Sequence, residues 1–287
     1  MPETERQNSG GDTVSTKISW TDETWNPIVG CSKVSAGCAN CYAETMARRL
    51  KGMGLPQYQD VVNEKGWTGK VVFVPCALDK PLRWKKPRRV FVGSMTDLFH
   101  ENVPREFIVR LFRVILDTPQ HTYQLLTKRP ARMRCEIEWA VGLYPPRNAW
   151  LGVTAENQKA ADERIPYLLQ TPAAVRFVSA EPLLGPLDLF RYLQPGLESW
   201  CERHPDSPDP NYPGGFSRKL PGVQWTIVGA ESDPRRRGCN LEWVRDLVRQ
   251  CQDAGTPVFV KQLDLDGRVS HDPAEWPADL RVREYPK

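Results

Sequence analysis

The chain has 287 residues, 40% of them hydrophobic and 26% charged, with a formal net charge of +4 at neutral pH. That length buries one large core, and so slight a cationic excess excludes a nucleic-acid coat protein. No apolar stretch reaches the ~18 residues of a membrane span, and MPETERQNSGGDTVSTK at the N-terminus lacks the apolar core of a signal peptide.

Residues 1–16 read as a disordered leader and 17–287 as one domain. The first short apolar run is WNPIVG (25–30), and it leads into GCSKVSAGCANCYAE (30–44). That stretch holds Cys31, Cys38 and Cys41 at C-x6-C-x2-C spacing. CYAETMARRLKGMG has helical composition and closes on Gly52 and Gly54. KVVFVP (70–75) is the weakest strand candidate, because little chain separates it from RVFVGS (89–94), and a flanking hairpin suits it better. PREFIVRLFRVILDTP (104–119) is an amphipathic helix with apolar residues at Phe107, Ile108, Leu111, Phe112 and Ile115. TYQLLT (122–127), WLGVTA (150–155), RFVSA (176–180), WTIVGA (225–230) and PVFVKQ (257–262) continue the strand series, with a further helix in LEWVRDLVRQCQDAG (241–255). Residues 195–222 are dense in Pro, Gly and Asp and read as an inserted loop. Strands alternating with helices predict an α/β fold, a single (β/α) barrel, complete or partly open, with six to eight parallel strands.

Three strand candidates end in Ala-Glu, which places Glu156, Glu181 and Glu231 at strand C-termini. Barrels carry their chemistry on that face. The cysteine loop also leads from a strand end into a helix, with Asn40 as the expected N-cap. A thiolate or an anionic cluster is favoured at such a helix start. In a cytoplasmic setting, eight cysteines point to metal or redox chemistry rather than to disulfides. Three readings of the loop compete. Packed free thiols suit a Gly/Ser-rich loop poorly. Zinc wants a fourth ligand, for which Cys76, His100 and Cys135 are candidates without diagnostic spacing. A [4Fe-4S] cluster held by three thiolates leaves one iron open to an exchangeable ligand. Cys201 and His204, at C-x2-H spacing in the inserted loop, are only a weak metal hint.

A three-cysteine loop after the first strand of a parallel barrel resembles the radical S-adenosylmethionine (SAM) enzymes, although their commonest spacing is C-x3-C-x2-C. A closer resemblance is to a bacterial and phage family of unknown function with a three-Cys motif. It is carried by ISWTDETWNPIVGC, GCANCYAE, PLRWKKPRRVFVGSMTDLFHENVP, LLTKRP, WLGVTAENQ, RFVSAEPLLGPLDL, WTIVGAES and PVFVKQL, over most of residues 17–263. The radical SAM resemblance implies a [4Fe-4S] cluster on Cys31, Cys38 and Cys41, SAM chelated at the open iron, and cleavage to a 5′-deoxyadenosyl radical. It also implies a partner protein that reduces the cluster. The residues then expected around SAM are Tyr42, Ser94, Asp97, Lys128, Glu156, Glu181, Glu231 and Lys261.

Two other classes use parts of the same set. Carboxylates at strand ends suit a metal-dependent barrel hydrolase, and the basic run RWKKPRR (83–89) suits a zinc-stapled nucleic-acid-binding module. Neither accounts for both the cysteines and the Ala-Glu ends. A G-x-S-x-G elbow and nucleotide-binding glycine fingerprints are absent from the sequence. Basic residues at 83–89 and 235–237, with Lys128 and Arg129 in LLTKRP, make a nucleic acid, a nucleotide or a related phosphorylated molecule the expected substrate.

Overall fold

Runs that are apolar at nearly every position form strands buried on both faces, and a computed structural model shows where they go. It describes residue 16 and residues 18–142, 145–195, 198–200 and 217–287. Most of the expected leader, and Cys201 and His204 in the inserted loop, lie outside the described residues. One eight-stranded sheet dominates, its neighbours following in chain order. Its strands are β1 (Glu23–Trp25), β2 (Arg89–Val92), β3 (Thr122–Thr127), β4 (Ala149–Thr154), β5 (Val175–Ala180), β6 (Trp225–Gly229), β7 (Val258–Leu265) and β8 (Arg268–Ser270). β1 to β7 pair in parallel, and β8 turns back antiparallel on β7.

The sheet is a curled half-barrel, with no pairing that closes it into a ring among the described residues. β8 takes the far edge of β7 at its C-terminal end, and the tail takes the same edge lower down, with Val260 N donating to Val282 O at 2.9 Å and Glu284 N to Val258 O at 2.9 Å. β1 is short and pairs only with β2 among the described residues. WNPIVG is therefore split. Trp25 ends β1, whereas Ile28 and Val29 leave the sheet and pair antiparallel with Phe73 and Val72 of KVVFVP. KVVFVP does flank the main sheet, but as a two-stranded antiparallel pair with residues 28–29, more than forty residues earlier, and not as a hairpin. At the inserted loop, residues 198–200 and 217–219 pair as a short antiparallel ribbon rather than running as plain loop.

Helix α1 (Tyr42–Gly52) packs through Ala43 and Ala47 against Tyr58, Val61 and Val62 beside the sheet, while α2 (Arg105–Asp117), α3 (Pro130–Val141), α4 (Gln158–Gln170) and α5 (Leu241–Asp253) cover the outer face. α2 buries Phe107, Ile108, Leu111, Phe112 and Ile115, the face expected from its spacing. α5 starts at Asn240, whose side chain accepts from Glu242 N at 2.9 Å. Outward-facing Val90, Leu125, Val153, Val178 and Val260 join these helices in the main core. The inner face instead carries Phe91, Phe177, Trp225, Ile227 and Phe259, closed by Trp20. Trp225 lies at the centre of this plug, with ring centroids 5.7 Å from Trp150, 5.5 Å from Phe177 and 5.4 Å from Tyr285. These aromatics occupy the N-terminal part of the half-barrel, which leaves the strand C-termini as the open end.

Candidate functional site

The cysteine loop reaches that open end through a tight turn. Gly30 adopts φ +103°, and a Cβ there would run into the Lys70 carbonyl oxygen. Its amide donates to Met95 O at 3.1 Å, and its carbonyl accepts from Thr96 Oγ1 at 2.6 Å. At the other end of the loop α1 begins one residue later than expected. Cys41, extended at φ −75° and ψ 116°, occupies the N-cap position in place of Asn40. The Asn40 amide is committed elsewhere, donating to Glu231 Oε2 at 3.0 Å and to Arg235 O at 3.0 Å.

Cys31, Cys38 and Cys41 line one cavity of about 140 Å³, together with Tyr42, Ser94, Asp97, Lys128 and Thr154. Most polar groups of this wall already have partners. Asp97 accepts from Thr127 Oγ1 at 2.7 Å, Phe99 N at 3.0 Å and Lys128 N at 3.1 Å, and it pairs with Arg129 at 3.2 Å. The Tyr42 hydroxyl donates to Ser94 O at 2.9 Å, and Ser94 Oγ exchanges hydrogen bonds with Asn26. Lys128 differs. Its Nζ donates to Thr154 Oγ1 at 3.3 Å and has no carboxylate partner among the described residues. Arg129 is fixed by Glu101 at 3.0 Å and Ser32 Oγ at 2.6 Å, with Nη1 3.9 Å from Cys31 Sγ. Burial, aided by the Asp97 carboxylate and opposed by Arg129, pushes the Cys31 thiol up to about 12.

The three Ala-Glu carboxylates do not line this cavity. Glu156 pairs with Arg164 at 2.7 Å, their side chains 1% and 7% exposed. It also accepts from the Ser35 hydroxyl and, at 3.2 Å, from Gly37 N. A Cβ on Gly37 would lie 3.0 Å from the Glu156 carboxyl carbon, a tight contact that any larger residue would meet. Glu231 pairs with Arg237 at 2.5 Å and receives the Asn40 amide, while Arg237 Nη2 donates to Ala36 O at 2.9 Å. Two strand-end carboxylates thus grip the cysteine loop from beneath. Glu181 makes an ion pair with Lys261 and accepts from Gln262 Nε2 at 3.3 Å.

Among the residues considered as a fourth ligand, Cys76 and Cys135 are exposed and outside the cavity wall. His100 is buried behind the wall, its Nε2 2.9 Å from Ser32 Oγ. The basic run at 83–89 ends at the first residue of β2, on the N-terminal side of the sheet. Arg88 there pairs with Glu23 at 3.6 Å and Arg89 with Asp22 at 2.8 Å. Only the 235–237 run, beyond the C-terminus of β6, borders the cysteine loop. Arg164 and Ser35 went unnoticed in the sequence, where an arginine on a helix reads as surface, and Arg237 reads there only as part of a basic run rather than as the partner of Glu231.

Charge pairing here has a pH consequence. Burial works to raise Glu156 and Glu231, but Arg164 and Arg237 outweigh it and hold both carboxyls below the usual 4.5. Burial pushes His121 below its usual 6.5. Groups depressed in this way bind fewer protons folded than unfolded, so their stabilisation is complete above the unfolded pKa and is lost as pH falls through the folded one. The melting temperature is expected to start falling below about pH 6.5 and to fall more steeply below about pH 4.5. A curve flat from about pH 7 to about pH 4 would contradict this.

A single zinc ion at ~2.3 Å from each sulfur would draw three thiolates to within roughly 4 Å of one another. Among the described residues no three His, Cys, Asp or Glu side chains are gathered for one ion. A cluster binds each thiolate through a different iron and sets the sulfurs farther apart. Cys31, Cys38 and Cys41 all line one cavity, the third at the start of α1. A family model described as a protein of unknown function (DUF5131) matches residues 15–272. No curated protein and no solved structure matches the chain.

Proposed function

The chain belongs to the DUF5131 family of proteins of unknown function, and on that premise we propose that it is an iron–sulfur enzyme of radical SAM type. The observation that carries the reading is the convergence of Cys31, Cys38 and Cys41 on one cavity at the strand C-termini, with a single unpaired cation, Lys128, among the described residues of its wall. Cys31, Cys38 and Cys41 would hold the cluster. When bound, it would supply an electron for reductive cleavage of SAM, given an external one-electron reductant.

The chain's own residues support that use in distinct ways. Lys128 would bind an anionic group, such as the carboxylate of SAM's methionine part. Asp97 and Ser94, saturated by protein partners, shape the wall instead of meeting a ligand. Glu156 and Glu231 hold the loop. Glu181 and Lys261 neutralise each other beyond the cavity wall. The aromatic plug leaves entry from the cysteine side.

Metal analysis of protein reconstituted without oxygen tests this reading. About four irons and four sulfides per chain are expected. Cys31→Ala, Cys38→Ala or Cys41→Ala should each abolish loading, whereas Cys76→Ala and Cys135→Ala should not. Stoichiometric zinc without iron would transfer the site to a structural role. A loaded protein that neither binds nor cleaves SAM would leave an electron-transfer or sensing cluster.

A further inference from the structure

Arg129 brings a cationic N–H to a cysteine sulfur, its Nη1 lying 3.9 Å from Cys31 Sγ. The guanidinium is 10% exposed and held on every side. Nε donates to Glu101 Oε2 at 3.0 Å, Nη1 also donates to Asp97 Oδ2 at 3.2 Å, and Nη2 donates to Ser32 O at 3.2 Å and Ser32 Oγ at 2.6 Å. Ser32, next to Cys31, is clamped in turn. Asn102 N donates to His100 Nδ1 at 3.1 Å, which makes Nδ1 the acceptor and leaves the proton of the neutral ring on Nε2. The Ser32 hydroxyl therefore accepts from His100 Nε2 at 2.9 Å and from Arg129, and gives its own proton to Glu101 Oε1 at 3.3 Å. That tautomer makes His100 an anchor for Ser32 and not its base.

We propose that Arg129 is the positioning residue for Cys31, and that the Arg129–Glu101 pair sets the reduction potential of the cluster held there. The proposal rests on the iron–sulfur reading above and names the residues that tune it. Hydrogen bonds and charges beside ligand sulfurs are the protein's levers on a cluster's potential. Arg129 is not a free charge, since Asp97 and Glu101 both pair with it. One cation thus faces two carboxylates next to Cys31, and its N–H is turned toward the sulfur. Two effects of opposite sign follow. Removing the guanidinium takes away the N–H and leaves both carboxylates unopposed, which disfavours adding an electron. Neutralising Glu101, 61% exposed and outside the cavity wall, leaves Arg129 and Asp97 balanced and favours it. A residue with a purely structural role would change how much cluster is loaded and leave the potential alone.

The test is a redox titration, followed by electron paramagnetic resonance, of the full chain reconstituted with iron and sulfide without oxygen and without SAM. Iron content is measured first in every sample. Arg129→Gln should lower the midpoint potential. Arg129→Lys should lower it less, because lysine keeps the charge but cannot span Glu101, Ser32 and Cys31 as the guanidinium fork does. Glu101→Gln should raise the potential at the iron content of the unaltered protein. Lys85→Gln, in the basic run on the N-terminal side of the sheet, should leave it unchanged. If Arg129→Gln holds no cluster, the opposite shifts of Arg129→Lys and Glu101→Gln decide. The proposal is overturned by unshifted potentials in the loaded Arg129 and Glu101 variants, or by shifts of the same sign. An unaltered protein that takes up no iron ends the iron–sulfur reading and this proposal with it. A loaded one whose potential ignores Arg129 and Glu101 ends this proposal alone.

Discussion

Replacing Glu156 by alanine is expected to destabilise the protein by about 3–5 kcal/mol, the range for removing one partner of a buried ion pair. Arg164 would stay behind with a side chain 7% exposed, keeping its bond to the Thr154 carbonyl at 2.8 Å but no counter-charge. The loop would also lose the acceptor for Ser35 and for Gly37 N. Two further variants separate these effects. Glu156→Ala/Arg164→Met removes the orphaned charge and should recover much of the stability, because an ion pair replaced by apolar groups is often close to neutral. It should not recover the loop, so iron loading should stay low. Glu156→Gln keeps an acceptor and should load better than alanine. Chemical denaturation and iron content together decide. If Glu156 instead served a ligand, alanine would cost little stability while ligand binding disappeared.

The sheet was legible in the sequence because its strands are apolar on both faces, a pattern that survives reading one residue at a time. Seven of the eight expected runs contribute to the parallel array, and the doubtful one, KVVFVP, lies outside it, paired antiparallel with residues 28–29. Two helices escaped notice for physical reasons. α3 interleaves Arg132, Arg134 and Glu138 with its buried residues, one of which is Glu136, and α4 carries Pro166 inside it, so neither shows a clean apolar stripe. Closure was not legible, because it depends on what pairs with the edge of β7 and no local spacing encodes that.

At the site, residue types were easier to pick out than roles. The three cysteines share a cavity, as their spacing suggested. Glu156 and Glu231, expected around SAM, contact the loop that bears those cysteines. A carboxylate at a strand end looks the same in sequence whether it meets a ligand or an arginine eight residues later, as Arg164 stands to Glu156. The basic runs show the same limit. Seven residues at 83–89 and three at 235–237 read alike, yet only the shorter one faces the cysteines.

Trp225→Ala is expected to cost about 3–5 kcal/mol, as for other large aromatic side chains removed from a core. Trp225 is fully buried at the start of β6, touches Trp150, Phe177, Phe259 and Tyr285, and donates from Nε1 to Glu284 O at 2.8 Å. Rigid rings on several strands cannot collapse far into the space it would leave. The loss lies at the closed end of the half-barrel, so variant kept folded at low temperature should still load iron normally. That is the opposite of Glu156→Ala, which damages the loop and the fold together. Glu156 lies two residues beyond the end of β4 and six after Trp150, at most roughly 20 Å away at the rise of an extended chain. Sites so far apart, without shared partners, add their effects within a few tenths of a kcal/mol. Trp225→Ala/Glu156→Ala should therefore lose about 6–10 kcal/mol, comparable with the whole stability of an ordinary domain at ~5–15 kcal/mol. Urea titration of the two single variants and the double variant measures this directly. A double variant that folds as well as either single one would mean that the plug and the loop clamp are coupled through β4, and that the two ends of the half-barrel are not independent.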